Sequence, residues 1–111
     1  MTNDAPAVQV VLVTAPDVEV ADGLVTTLVD EGLAACGNIV PGLLSVFRWQ
    51  GVVEREQEAL VVLKTVESAV PALIRRASEL HPYAVPEILV VPVETGYGPY
   101  LDWVVKSVDQ G

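Results

Sequence analysis

The run Ala59-Leu60-Val61-Val62-Leu63 contains no polar residue. Successive residues of a strand point to opposite faces, so a strand that is apolar throughout asks for burial on both sides at once. Val8-Gln9-Val10-Val11-Leu12-Val13 and Ile88-Leu89-Val90-Val91-Pro92-Val93 show nearly the same pattern. A chain of 111 residues has room for one domain and not two. A sheet built from these strands and covered by helices on one face would leave an apolar patch on the other, beyond the few hundred Å² that a monomer tolerates. The sequence therefore predicts sheet-to-sheet association into a homo-oligomer.

The remaining residues set the order of elements. Pro16 stops the first strand, and Asp17 is placed to cap a helix with Ala21, Leu24, Val25, Leu28 and Val29 on one face and Gly32 just past its end. Strand character returns from Ala34 to Trp49, with Pro41-Gly42 marking either a bulge in one long strand or a break between two short ones. Gln50-Gly51 reads as a hairpin turn, and residues 52–66 as the returning strand. Ser68 is the expected cap of a second helix that carries Val70, Leu73, Ile74, Ala77 and Leu80 inward and ends at His81, before Pro82. Residues 88–93 give a fourth strand, and Gly98-Pro99 opens a third helix. Strand, helix, strand, strand, helix, strand and terminal helix is the split βαβ pattern of an α+β, ferredoxin-like sandwich with an antiparallel sheet. In that reading the helices share one face. Residues 1–7 form a loose tail, and residues 8–111 the domain.

Charge excludes several partners. Six Lys plus Arg stand against fifteen Asp plus Glu, a net charge of −9. That balance argues against nucleic acid and against anionic membrane surfaces. No apolar run approaches the roughly 18 residues of a membrane span. One cysteine cannot form an internal disulfide, and with an acidic start lacking a signal-type stretch the expected setting is the reducing cytoplasm.

Few residues offer chemistry. Cys36 is either a thiolate ligand or a small buried hydrophobe. His81 is the sole histidine, so a Cys/His metal site or histidine acid–base chemistry must use it. Glu87 can approach it across the His81-Pro82-Tyr83 turn, and such a set suits Zn or Cu. The bland alternative is a ring bonded to a backbone carbonyl. Glu54, Glu56 and Glu58 fall on one strand face; the row suits hard cations, but a solvated strand face explains it better. Lys64 beside Arg48 and Trp49 suits either an anion cleft or an ion pair. No nucleophile motif or phosphate loop is present, so no catalytic residue is assigned and the protein is read as non-enzymatic.

In order and spacing, Thr14-Ala15-Pro16-Asp17, Leu33-Ala34-Ala35-Cys36-Gly37-Asn38-Ile39, Ser45-Val46-Phe47-Arg48-Trp49-Gln50-Gly51, Leu63-Lys64-Thr65, His81-Pro82-Tyr83-Ala84-Val85-Pro86-Glu87-Ile88 and Tyr100-Leu101-Asp102-Trp103 resemble the CutA family of divalent-cation tolerance proteins. The resemblance runs from about Val8 to Val108. It implies a homotrimer similar to the PII signalling proteins, with Trp49, Lys64, His81, Tyr83 and Glu87 near a cleft between subunits. It also implies a role in the response to divalent metal ions, copper in some members, with no obligatory cofactor. Val13 and Leu80 stand where some members carry a cysteine and a second histidine, which leaves His81, Glu87 and Cys36 as the metal set. The alternative is a PII-like sensor of a small organic or anionic ligand, held by Arg48, Trp49, Lys64 and Tyr83.

Overall fold

A computed structural model describes residues 7–108. Residues 1–6 of the expected tail lie outside the described residues, as do residues 109–111 at the other end. Strand β1 is Val8–Ala15 and helix α1 is Val18–Asp30. The Asp17 side chain accepts from the Val20 N–H at 2.8 Å, which satisfies one of the orphan donors of the first turn. Gly32 takes φ 75°, the left-handed backbone that a glycine adopts without strain.

Strands β2 (Cys36–Trp49) and β3 (Val52–Val66) form a long antiparallel hairpin. Gln50 and Gly51 both have positive φ, 51° and 82°, and close its two-residue turn. Pro41-Gly42 is a bulge within a single strand: Val40 pairs with Leu60, but Leu43 pairs with Glu58. The one extra residue inverts the alternation of β2. Cys36, Asn38 and Val40 therefore share a sheet face with Leu43, Ser45, Phe47 and Trp49.

One 3₁₀ turn, Glu67–Ala69, precedes α2 (Val70–Leu80), followed by β4 (Ile88–Pro92) and α3 (Gly98–Ser107). Ser68 is thus inside the 3₁₀ turn and is not the N-cap of α2. Ala69 holds that position without a side-chain bond. The sheet order is β2-β3-β1-β4, the antiparallel arrangement expected for a split βαβ sandwich.

Helices α1 and α2 cover one face, where Val11, Val13, Ala15, Val61 and Leu63 pack on Ala21, Leu24, Leu28, Leu73 and Ala77. Ile74, expected on that buried face, is exposed at its flank. Helix α3 departs from the expectation that all helices share a face. Val104 and Val108 pack with Val8 and Val66, a cross-strand pair whose side chains alternate onto the other face. The reach of α3 ends there. Beyond it Val10, Leu12, Leu60 and Val62 are half-buried, and Leu89 and Val91 on the edge strand are 55% and 45% exposed.

Strand β1 stops at the pair Ala15–Ala59, so residues 43–58 continue as a two-stranded ribbon. The ribbon stretches the molecule to 51 × 26 × 22 Å and raises its radius of gyration to 14.9 Å, above the roughly 13 Å of a compact chain this long. Leu44, Val46, Phe47, Trp49, Val52 and Val53 are exposed along it.

One close approach fixes how α1 sits on β2. A Cβ built on Gly37 would stand 2.7 Å from Val25 Cγ1 and 2.8 Å from Leu63 Cδ2. Gly37→Ala is expected to cost about 1–3 kcal/mol by overpacking, read as a lower urea midpoint at unchanged slope. Gly23→Ala meets nothing within 4 Å inside α1, so it should gain up to about 1 kcal/mol in helix propensity.

Candidate functional site

Pro82 forces His81 out of helical geometry, to φ −77° and ψ 138°, and turns the chain back across the end of β1. The His81 ring is buried there. Its Nε2–H donates to the Thr14 carbonyl at 2.7 Å, and its Nδ1 accepts from the Tyr83 N–H at 3.1 Å. These partners, one acceptor and one donor, fix the neutral ring with its proton on Nε2. The Tyr83 ring lies against the imidazole, centroids 4.7 Å apart, and its hydroxyl donates to Glu58 Oε2 at 2.8 Å. A continuous chain of contacts, Thr14–His81–Tyr83–Glu58, thereby ties residues 81–87 to the root of the ribbon.

Between that segment and the ribbon lies a cavity of about 840 Å³. The bulge at Pro41-Gly42 brings Ser45, Phe47 and Trp49 onto its wall, facing Glu54, Glu56 and Glu58 across the hairpin. Tyr83 and Glu87 close the other side. Four carboxylates line the cavity and, among the described residues, no lysine or arginine does. Burial first, then the bond to Glu58 and the negative charge of Glu58 and Glu56, push the Tyr83 phenol up to about 12.

Glu58 departs from its sequence reading as a solvated residue: it is only 9% exposed, because Tyr83 folds over it. Its spacing two residues before the wholly apolar Leu60 was the one available sign that the acidic row runs into buried territory.

The expected metal set of His81, Glu87 and Cys36 is divided. Glu87 lines the cavity and is exposed, whereas both nitrogens of His81 are already engaged. Cys36 pairs with Lys64 at the far end of the hairpin. Lys64 stands six positions along β3 from Glu58, about 20 Å of strand. Among the described residues, no three His, Cys, Asp or Glu side chains gather closely enough to hold a metal ion. Cys36 is half-buried, with Sγ 3.5 Å from the Tyr100 hydroxyl. That contact first, and burial second, push the Tyr100 phenol up to about 12.

The expected anion cleft is divided as well. Trp49 and Tyr83 line the cavity, but Lys64 hydrogen-bonds Asn38 on the sheet. Arg48 turns back to the Gly51 carbonyl at 3.3 Å, on the opposite face of the ribbon.

The raised Tyr83 phenol has a pH consequence. Its folded value lies above the ordinary 10.0, so its stabilising contribution is whole below pH 10 and is lost as pH rises through 12. Phenolate absorbance should show two tyrosines titrating near 12, Tyr83 and Tyr100, and only one of them in Tyr83→Phe. A Tyr83 signal titrating at the ordinary value would break the Tyr83–Glu58 link.

Residues 9–107 match the family model described as CutA1 divalent ion tolerance protein. The divalent-cation tolerance protein CutA of Thermus thermophilus is 52% identical over 99 residues, covering 89% of this chain and 96% of that protein. Mouse protein CutA is 41% identical over 98 residues, which are 88% of this chain and 55% of the mouse protein. The chain thus spans about half the length of that mammalian relative. Among solved structures, the Thermus thermophilus Cut A1 protein superposes with a TM-score of 0.90 at 49% identity, covering 92% of this chain and 99% of that one. CutA1 of Oryza sativa gives 0.93 at 38% identity, covering 98% and 100%.

Proposed function

Because the chain belongs to the CutA1 divalent ion tolerance family, we propose that it works as a non-enzymatic homotrimer in the response to divalent cations, with cations recognised at the acidic cavity. The observation that carries this reading is a concave surface with four carboxylates and, among the described residues, no basic side chain. Such a surface attracts cations and repels anions. Glu54, Glu56, Glu58 and Glu87 are hard oxygen donors, suited to weak binding of divalent ions. His81, engaged through both nitrogens, positions Tyr83 and is no free acid or base. The cytoplasm is the proposed setting, where the single Cys36 stays reduced.

The test is a chelator-competition titration of metal-stripped protein with Cu(II) and Zn(II). Binding no tighter than about micromolar is expected, weakened by Glu58→Gln and Glu87→Gln and unchanged when His81→Ala still folds. A nanomolar site abolished by His81→Ala would overturn the reading and restore the histidine as a ligand.

Trimerisation draws its support from the apolar sheet face beyond α3 and from the apolar ribbon. A two-stranded ribbon without partners is marginal at best, and Leu44 and Val53 stand exposed on its face away from the cavity. Sedimentation is expected to give a single species of about three times the 11.8 kDa chain mass. Leu89→Glu with Val91→Glu should shift that species toward the monomer. A wild-type protein that sediments as a single chain would contradict the proposal.

A further inference from the structure

We infer that the cavity at the root of the ribbon takes an aliphatic di- or polyamine, its ammonium groups bridging carboxylates and its methylenes lying on Phe47 and Trp49. The inference rests on the reading of the cavity as a cation site and adds the chemical class.

Glu58 is the starting point. The side chain is nine-tenths buried and lies in no salt bridge among the described residues. One oxygen takes the Tyr83 hydroxyl. The other accepts no hydrogen bond among the described residues and is not sealed from solvent, and Glu58 is among the residues that line the cavity. A carboxylate largely removed from water and lacking a counter-charge is costly. A cation in the cavity relieves that cost.

Spacing decides between a bare ion and an organic one. Glu54, Glu56 and Glu58 alternate along one strand, so neighbouring members lie about 7 Å apart along it. No metal-ligating group of three is assembled among the described residues, so a bare ion meets only one or two of these carboxylates at a time. Ammonium groups joined by a short run of methylenes span such a gap. The volume of about 840 Å³ falls in the range of small-molecule sites, about 300–1,000 Å³. Phe47, the cross-strand partner of Glu54, and Trp49 supply aromatic faces. Such faces attract cations and cover aliphatic chain.

The experiment is calorimetric titration of the full chain with spermidine, putrescine, butylamine and Mg²⁺ at physiological ionic strength, where diffuse attraction to the net charge is screened. Spermidine is expected to bind at least about tenfold tighter than Mg²⁺ or butylamine, with putrescine between. Glu58→Gln retains an acceptor for Tyr83 and should weaken spermidine about tenfold. Glu19→Gln, on the exposed first turn of α1, should leave it unchanged. Spermidine no tighter than Mg²⁺, or equally weakened by Glu19→Gln, overturns the amine inference. If metal ions then still bind in a manner lost with Glu58→Gln and Glu87→Gln, the cation reading survives; if nothing binds through these carboxylates, both fall.

Discussion

The ladder between β1 and β3 is the constraint on which the rest of the molecule depends. Its eight residue pairs run from Val8–Val66 to Ala15–Ala59, and they are apolar on both faces for most of that length. One face is closed by α1 and α2, with Val11, Val13, Val61 and Leu63 fully buried. The other is closed at one end only, by α3 over Val8 and Val66. Between that helix and the ribbon lie half-buried Val10, Leu12, Leu60 and Val62 and exposed Leu89 and Val91, beside the polar pair Lys64 and Asn38. In the proposed trimer, other copies of the chain cover this surface.

The candidate site arises where this ladder stops. At Ala15–Ala59 the third strand is lost and β2 and β3 continue alone, so the sheet narrows and a hollow opens beside it. Pro82 and Pro86 carry residues 81–87 across that hollow, anchored by His81 on the Thr14 carbonyl near the end of β1. The change from apolar to acidic sequence in β3 falls at the same place, between Glu58 and Ala59. Fold and site thus share one boundary. The residues that end the core also begin the cavity, and Tyr83 over Glu58 is the seam between them.

Local chemistry was legible in the sequence, because it acts over a few residues. The Asp17 cap, the Gly32 terminus, the Gln50-Gly51 turn and the break at Pro82 each follow from backbone preferences of the residue itself, and together they give the element order. The apolar strands also announced an uncovered sheet face. What depends on pairing between distant residues was not legible. Whether Pro41-Gly42 is a bulge or a break is decided by the register against β3, and that register alone sends Phe47 and Trp49 to the acidic side. The side on which α3 docks depends on the one uncovered end of the sheet. Glu58 is buried by a tyrosine 25 residues away, and the two bonds of His81 reach a carbonyl 67 residues away and its own turn. Residue type and the family resemblance suggested His81, Glu87 and Cys36 as a set, but strand length places the thiol toward the other end of the hairpin.

The most direct test of the covered sheet face is amide hydrogen exchange along residues 43–58, compared with the β1–β3 ladder in the same native sample. Ribbon amides held against other copies of the chain should approach the protection of that ladder, since they would open only with the whole assembly. Exchange as fast as in an unsupported hairpin, while the ladder stays protected, would show that nothing covers the ribbon and would contradict the assembled state.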